Sequence, residues 1–236
     1  MGLKESGLRG SLRNVSVGID AIPDVLDNHF RFDEGSGTAL NDDVGDLTAT
    51  SDVDNWESAA NFVGGLCISY SGDEGWITDE RIGVHTQEYT VIQWIDSTSF
   101  DDDSERIIAV GDDNTSGDIT GLRSDGSGGL EVAGQIAGSF ESTGTLVDNI
   151  PNNEQYMVVL RVDGSAHEII LYDTDEEFGR GTGTYNKNNL NDGLLSGMMR
   201  TDGQAGKTGR VGSCAVAQNT AMSDEAIDQY HNSTKP

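Results

Sequence analysis

From Phe30 onward the apolar residues of this chain fall in short runs separated by polar turns. Several runs alternate at period two. Tyr156, Val158, Leu160 and Val162 form one series, and Leu66, Ile68 and Tyr70 another. Such alternation places one set of side chains on one face of a sheet. The pattern predicts strands at Phe30–Phe32, Leu66–Tyr70, Tyr89–Ile95, Arg106–Val110, Ile119–Arg123, Leu130–Gln135, Gln155–Val162, His167–Tyr172, Leu194–Arg200 and Arg210–Ala217. Glycine is abundant, at 31 residues, and it gathers in turns such as Asp125-Gly126-Ser127-Gly128-Gly129, where positive φ is needed. Many short strands with almost no helix predict an all-β antiparallel sandwich. The one helix expected lies near the end of the sequence. Ser223 can cap it, Asp224 and Glu225 suit its first turn, and Ile227 and Tyr230 share a face.

The pattern changes near Asn28. Residues 1–28 are expected to form an extended N-terminal arm, and residues 29–236 the sandwich domain. From Met1 to Ile19, Leu3, Leu8 and Leu12 are spaced irregularly among glycines, and Lys4, Arg9 and Arg13 stand against Glu5, a local net charge of +2. The arm is either a frayed terminus or an assembly element that orders on an acidic neighbouring subunit; Leu3, Leu8, Arg9, Leu12 and Arg13 would make the second kind of contact. Pro23 marks a turn or a helix start.

Charge sharpens the picture. Among 236 residues, 41 are acidic and 14 basic, a formal net charge of −27. A nucleic-acid partner would need a basic footprint, and an anionic membrane surface would repel the chain. Asp outnumbers Glu 27 to 14 and Arg outnumbers Lys 10 to 4. At about 1 M salt the screening length is about 3 Å, so most self-repulsion vanishes. The composition fits a protein of high-salt surroundings, with an ordinary acidic secreted protein as the alternative. No apolar run reaches the roughly 18 residues of a membrane helix, and no apolar core of a signal peptide stands in the first 30 residues. Cys67 and Cys214 each lie in an apolar stretch; they are either two buried thiols or one disulfide.

The order of several segments resembles concanavalin-A-like lectin/glucanase domains of the laminin-G type. His29-Phe30-Arg31-Phe32-Asp33-Glu34-Gly35-Ser36-Gly37-Thr38 is similar to their opening strand and turn. Gly64-Gly65-Leu66-Cys67-Ile68-Ser69-Tyr70-Ser71-Gly72 follows Trp56 as their second marker does. Tyr89–Ile95, Asn153–Gly164, Gly209–Gly212 and Ala221–Ile227 resemble later strands and the closing helix. The resemblance implies a two-sheet antiparallel jelly roll with a short C-terminal helix. Separately, Gly7-Leu8-Arg9-Gly10-Ser11-Leu12-Arg13-Asn14-Val15-Ser16 resembles the leader of structural proteins from tailed viruses of haloarchaea. Together these imply a virion structural protein in a high-salt extracellular setting: a capsid decoration, turret or tail component. Its partners would be other virion subunits, copies of itself and a cell-surface glycan, without nucleic acid or membrane insertion. A secreted or cell-surface carbohydrate-binding module of a haloarchaeon is the alternative, followed by a divergent glycan-active enzyme.

The catalytic patterns searched for are missing. Retaining glycosidases need two carboxyls about 5 Å apart, which the related hydrolases place in an E-x-D-x-E arrangement. The nearest run here is Asp173-Thr174-Asp175-Glu176-Glu177, which reads as a strand end entering a solvated loop. There is no G-x-S-x-G or H-E-x-x-H pattern, and the four histidines are scattered. The chain is therefore expected not to be an enzyme, with no catalytic residue assigned. Asp112, Asn114, Ser116 and Asp118 alternate as oxygen ligands do in the first half of a calcium loop, although Arg123 stands where a bidentate Glu would close it. The resemblance also allows calcium in rim loops. For carbohydrate, Trp76, Tyr185 and Asn188 offer aromatic surface and a hydrogen-bonding amide; Trp56, Trp76 and Trp94 are alternatively core aromatics.

Overall fold

The computed structural model describes residues 23–59, 62, 65–84, 87–97, 99–101, 103–112, 118–136, 139–185, 192–199, 201 and 206–235. Its elements in chain order are β1 (Asn28–Phe30), β2 (Ala39–Asn41), β3 (Thr48–Ser51), β4 (Trp56–Ser58), β5 (Leu66–Tyr70), β6 (Trp76–Thr78), β7 (Ile82–Gly83), β8 (Glu88–Ser97), β9 (Asp103–Gly111), β10 (Ile119–Asp125), β11 (Leu130–Ile136), β12 (Ser139–Val147), β13 (Glu154–Asp163), β14 (Ala166–Tyr172), β15 (Glu177–Thr184), β16 (Asp192–Gly197), β17 (Gly209–Ala217) and α1 (Asp224–Thr234). They form two antiparallel sheets. The eight-stranded sheet runs β15-β14-β13-β8-β17-β5-β4, with β1 beside β17. The nine-stranded sheet runs β12-β11-β10-β9-β16-β6-β3-β2, with β7 beside β16.

The expected alternation builds the space between the sheets. Tyr156, Val158, Leu160 and Val162 point inward together with Ile68, Tyr70, Val91, Ile95, Ile108, Val110, Leu122, Val132 and Leu195. Strand β8 is also covered on its other face. Its Ile92 and Trp94 join Cys67, Met157, Val159, Ile170 and Tyr172 in a second cluster against Met222, Ile227 and Tyr230. The helix thus lies on the outer face of the eight-stranded sheet. Ser223 caps it by accepting a hydrogen bond from the Ala226 N–H. At its first turn Asp224 meets Arg161 at 2.6 Å and Arg180 at 3.0 Å. These two guanidiniums outweigh partial burial and hold the Asp224 carboxyl below its ordinary range.

One flank of the sandwich is closed by glycine. On β15, Gly179, Gly181 and Gly183 alternate with Phe178, Arg180 and Thr182. A Cβ on Gly181 would stand 2.0 Å from the Leu146 carbonyl oxygen, and one on Gly183 would stand 2.8 Å from Thr143. The edge strands β12 and β15 therefore meet backbone to backbone across the two sheets. The opposite flank is stitched where the Trp56 indole N–H donates to the Gly37 carbonyl at 2.8 Å.

Some expectations change. Phe30–Phe32 was expected as the opening strand; instead β1 covers Asn28–Phe30, because Phe32 takes φ 56° and turns the chain. The predicted strand Leu194–Arg200 ends at Gly197, before Met198 at φ 62°. Leu26, on the arm side of Asn28, is buried in the helix-side cluster, and Pro23 opens a turn closed by a Leu26 N–H to Pro23 carbonyl bond. Leu3, Leu8, Arg9, Leu12 and Arg13 lie outside the described residues. Cys67 and Cys214 are both free and buried, and they face opposite sides of the sheet.

Candidate functional site

The sequence-derived carbohydrate set does not converge. Trp76 is fully buried, packed between the sheets against Phe30 and Phe32 at 5.8 and 5.7 Å between ring centres. It points inward because its strand neighbour Ile77 takes the outer position opposite Ser196. No ring face is left for a sugar. Tyr185 is also buried, edge-on to His167 at 5.2 Å between ring centres. Asn188 lies outside the described residues.

The calcium set divides similarly. Asn114 and Ser116 lie outside the described residues. Asp112 and Asp118 flank the loop, joined by an Asp112 N–H to Asp118 carbonyl bond of 3.0 Å. The Asp112 carboxylate already has a cation, the Arg81 guanidinium at 2.9 Å, which also reaches Asp192 at 3.3 Å. Among the described residues no cluster of three or more His, Cys, Asp or Glu side chains has metal-binding geometry.

A different surface carries a connected set of polar and aromatic groups. On the outer face of the nine-stranded sheet, Phe140 is 55% exposed. The Arg123 guanidinium lies under its ring, 4.6 Å from the centroid. Arg123 is in turn fixed by Glu131, its cross-strand neighbour, through a 2.7 Å bond. The second Glu131 oxygen accepts the Ser142 hydroxyl at 2.7 Å. Ser142, Glu131, Arg123 and Phe140 thus form a chain across β12, β11 and β10, and Arg123 and Glu131 are nearly buried. Gln135 is the cross-strand partner of Phe140. Its amide oxygen is buried and has no hydrogen-bond partner. Small side chains sit between these groups: Gly121 pairs with Ala133, and Ala133 with Ser142.

This arrangement suits recognition of a flat, weakly charged ligand. One ring face of Phe140 rests on a cation, which binds the ring's negative face, and the other faces outward. The ion pair holds the platform in place before a ligand arrives, which lowers the ordering cost of binding. Phe140 is not among the sites read from the sequence. Its signal was a lone aromatic within the polar run Ser139-Phe140-Glu141-Ser142-Thr143.

Two hollows open on the outer face of the other sheet. One, of about 280 Å³, is lined by Arg161, Asp163, Glu168, Thr182 and Met222. Its charges are spent on docking the helix, since Arg161 binds Glu168, Asp224 and the Met222 carbonyl. The other, of about 390 Å³, is lined by Ser69, Tyr70, Asp96, Asn153, Thr208, Gly209 and Arg210.

No protein-family model matches the chain, and no curated protein matches it in sequence. Solved structures do match it. A Trypanosoma rangeli sialidase in complex with 2,3-difluorosialic acid aligns with a TM-score of 0.61 at 14% identity, over 89% of this chain and 33% of that one. Domain 4 of AbnA, a GH43 extracellular arabinanase from Geobacillus stearothermophilus in complex with arabinotriose, aligns with 0.60 at 14% identity, over 87% of this chain and 98% of that domain. A GH54 α-L-arabinofuranosidase aligns with 0.60 at 11% identity, over 83% and 50%. The chain spans about a third of the length of the sialidases it matches. The shared feature is the fold, a β-sandwich found in carbohydrate-active and carbohydrate-binding proteins. The expectation that the chain is not an enzyme is corrected by these matches: all three are parts of glycoside hydrolases, so the fold gives no ground for excluding a glycan-active role, and missing sequence patterns alone do not restore it.

Proposed function

We propose that the chain is a glycan-binding domain that seats a neutral sugar on Phe140. The exposed Phe140 ring on its prebuilt Arg123–Glu131–Ser142 support carries this reading. Sugar rings present apolar C–H faces to aromatic surfaces, and the exposed ring of Phe140 offers one. The net charge of −27 disfavours an anionic sugar over a neutral one. The AbnA domain, which the chain matches over almost its whole length, was solved with arabinotriose.

The acidic composition and the basic stretch from Met1 to Ile19 support a more specific setting: display on the virion of a halophilic archaeal virus, with Leu3, Leu8, Arg9, Leu12 and Arg13 contacting other virion subunits and the sugar belonging to the host surface. A cell-surface or secreted module uses the same face.

Calorimetric titration of the purified chain with arabinotriose and with sialyllactose, at high salt, tests the site. Binding of the neutral sugar is expected, with a loss of at least tenfold in Phe140→Ala and melting temperature unchanged. Equal affinity in Phe140→Ala would refute the site. A parallel titration with calcium or a chelator tests a metal in the 112–118 loop, and assay for released reducing ends tests glycan cleavage.

A further inference from the structure

We infer that the outer face of the eight-stranded sheet carries a second site for a neutral polyhydroxylated ligand, on the opposite side of the sandwich from Phe140. Cross-strand register aligns four polar residues on one rung: Gln155 faces Asp96, Asp96 faces Arg210, and Arg210 faces Ser69. The preceding rung is apolar, with Met157 opposite Trp94. There the helix covers the sheet, and the Trp94 indole N–H donates to the Thr234 hydroxyl at 2.9 Å. The polar rung begins where the helix ends. Its side chains share the outer face with Cys67, Trp94 and Met157, while Ile68, Ile95, Tyr156 and Val211 point to the core.

The cleft of about 390 Å³ opens on this rung, with Ser69, Asp96, Asn153 and Arg210 in its lining. Arg210 is ion-paired with Asp96 and lies 3.9 Å from Glu57, so no unpaired cation is offered to an anion. The Ser69 hydroxyl and Asn153 amide hold no side-chain hydrogen bond among the described residues. Gln155 ends the rung, three strands from Ser69; its amide is buried without a hydrogen-bond partner and lies outside the cleft lining. At the cleft itself the Ser69 hydroxyl and the Asn153 amide, unbonded among the described residues, sit beside an internally neutralised ion pair, which matches a ligand whose hydroxyls both donate and accept. That is the chemistry of an uncharged sugar unit. This site is independent of the Phe140 reading, because it shares no residue with it.

Titration of the isotopically labelled full chain with arabinotriose and maltotriose, followed by amide NMR, tests the inference. Two sets of shifts are expected, one around β12 and one at Thr208, Gly209 and Asn153. Phe140→Ala should abolish only the first. The double substitution Ser69→Ala with Asn153→Gly should weaken the second at least fivefold, and the fold should survive because neither side chain is hydrogen-bonded among the described residues and glycine suits the φ of 59° at position 153. Absence of shifts at Thr208 and Gly209 with both sugars, or shifts unchanged in the double variant, would overturn the second site and leave the Phe140 site untouched.

Discussion

Acid should loosen this protein through one buried imidazole. His29, on β1, is 1% exposed. It packs edge-on against Tyr230 of the helix at 5.7 Å between ring centres, and neither ring nitrogen has a hydrogen bond. Asp43 lies 4.0 Å away and favours the protonated ring, as does Asp42, while Arg31 opposes it. Burial is the largest influence; with Arg31 on its side it outweighs the two carboxylates and lowers the pKa from 6.5 to about 4. Above pH 6.5 the ring is neutral in both the folded and unfolded chain, and nothing is lost. Between pH 6.5 and 4 only the unfolded chain takes up the proton, so stability drains away as pH falls. Below pH 4 both states are protonated and the loss stops growing. The full loss is about 3 kcal/mol, of which about 2 kcal/mol is reached at pH 5. The assay is denaturant unfolding of the wild type and His29→Phe at pH 7.5 and pH 5 under constant salt. The variant keeps an aromatic ring against Tyr230 and has no proton to bind. Its stability relative to wild type should improve by about 2 kcal/mol between the two pH values. The comparison removes the contribution of His231, whose pKa is also lowered by burial. An identical pH dependence in the two proteins would refute the reasoning.

Two other outcomes follow from the fold and the charge. Gly181→Ala should cost about 1–3 kcal/mol in thermal or chemical unfolding, because its Cβ meets the Leu146 backbone at 2.0 Å; the neighbouring outward substitution Thr182→Ala should change stability by less than about 0.5 kcal/mol. Lowering salt from about 3 M to about 0.1 M should reduce the melting temperature, because screening of the surplus carboxylates is removed; an unchanged melting temperature would disprove the halophilic reading of the composition.

The strands that were legible in the sequence are those that bury apolar side chains on alternate positions. Tyr156 to Val162 and Leu66 to Tyr70 lie within strands, and Tyr156, Val158, Leu160, Val162, Ile68 and Tyr70 are turned toward the core. The capped C-terminal helix was legible from Ser223 and the acids beside it. Strands β12 and β15 were not, because they associate through backbone proximity. Glycines on β15 leave no hydrophobic period to detect. The Asp173–Glu177 run, read as a loop, is a turn whose last residue starts β15. Trp76 misled for a related reason: its three-residue strand is too short for alternation to say which way the indole points. Gln155 depends on register between the distant strands β13 and β8, and the Arg123 support under Phe140 on contact across three strands, which local pattern does not contain.

The glycine seam also governs how copies of this molecule can meet. Sheets usually grow by adding a strand to an exposed rim, but here β12 and β15 shield each other along their length. The far rims are β2 and β4, each only three residues long, which offers a newcomer little backbone to grip. Crowding many copies side by side, as on a particle shell or a cell coat, therefore carries little danger of fusing them into continuous ribbons, and leaves both broad faces turned outward.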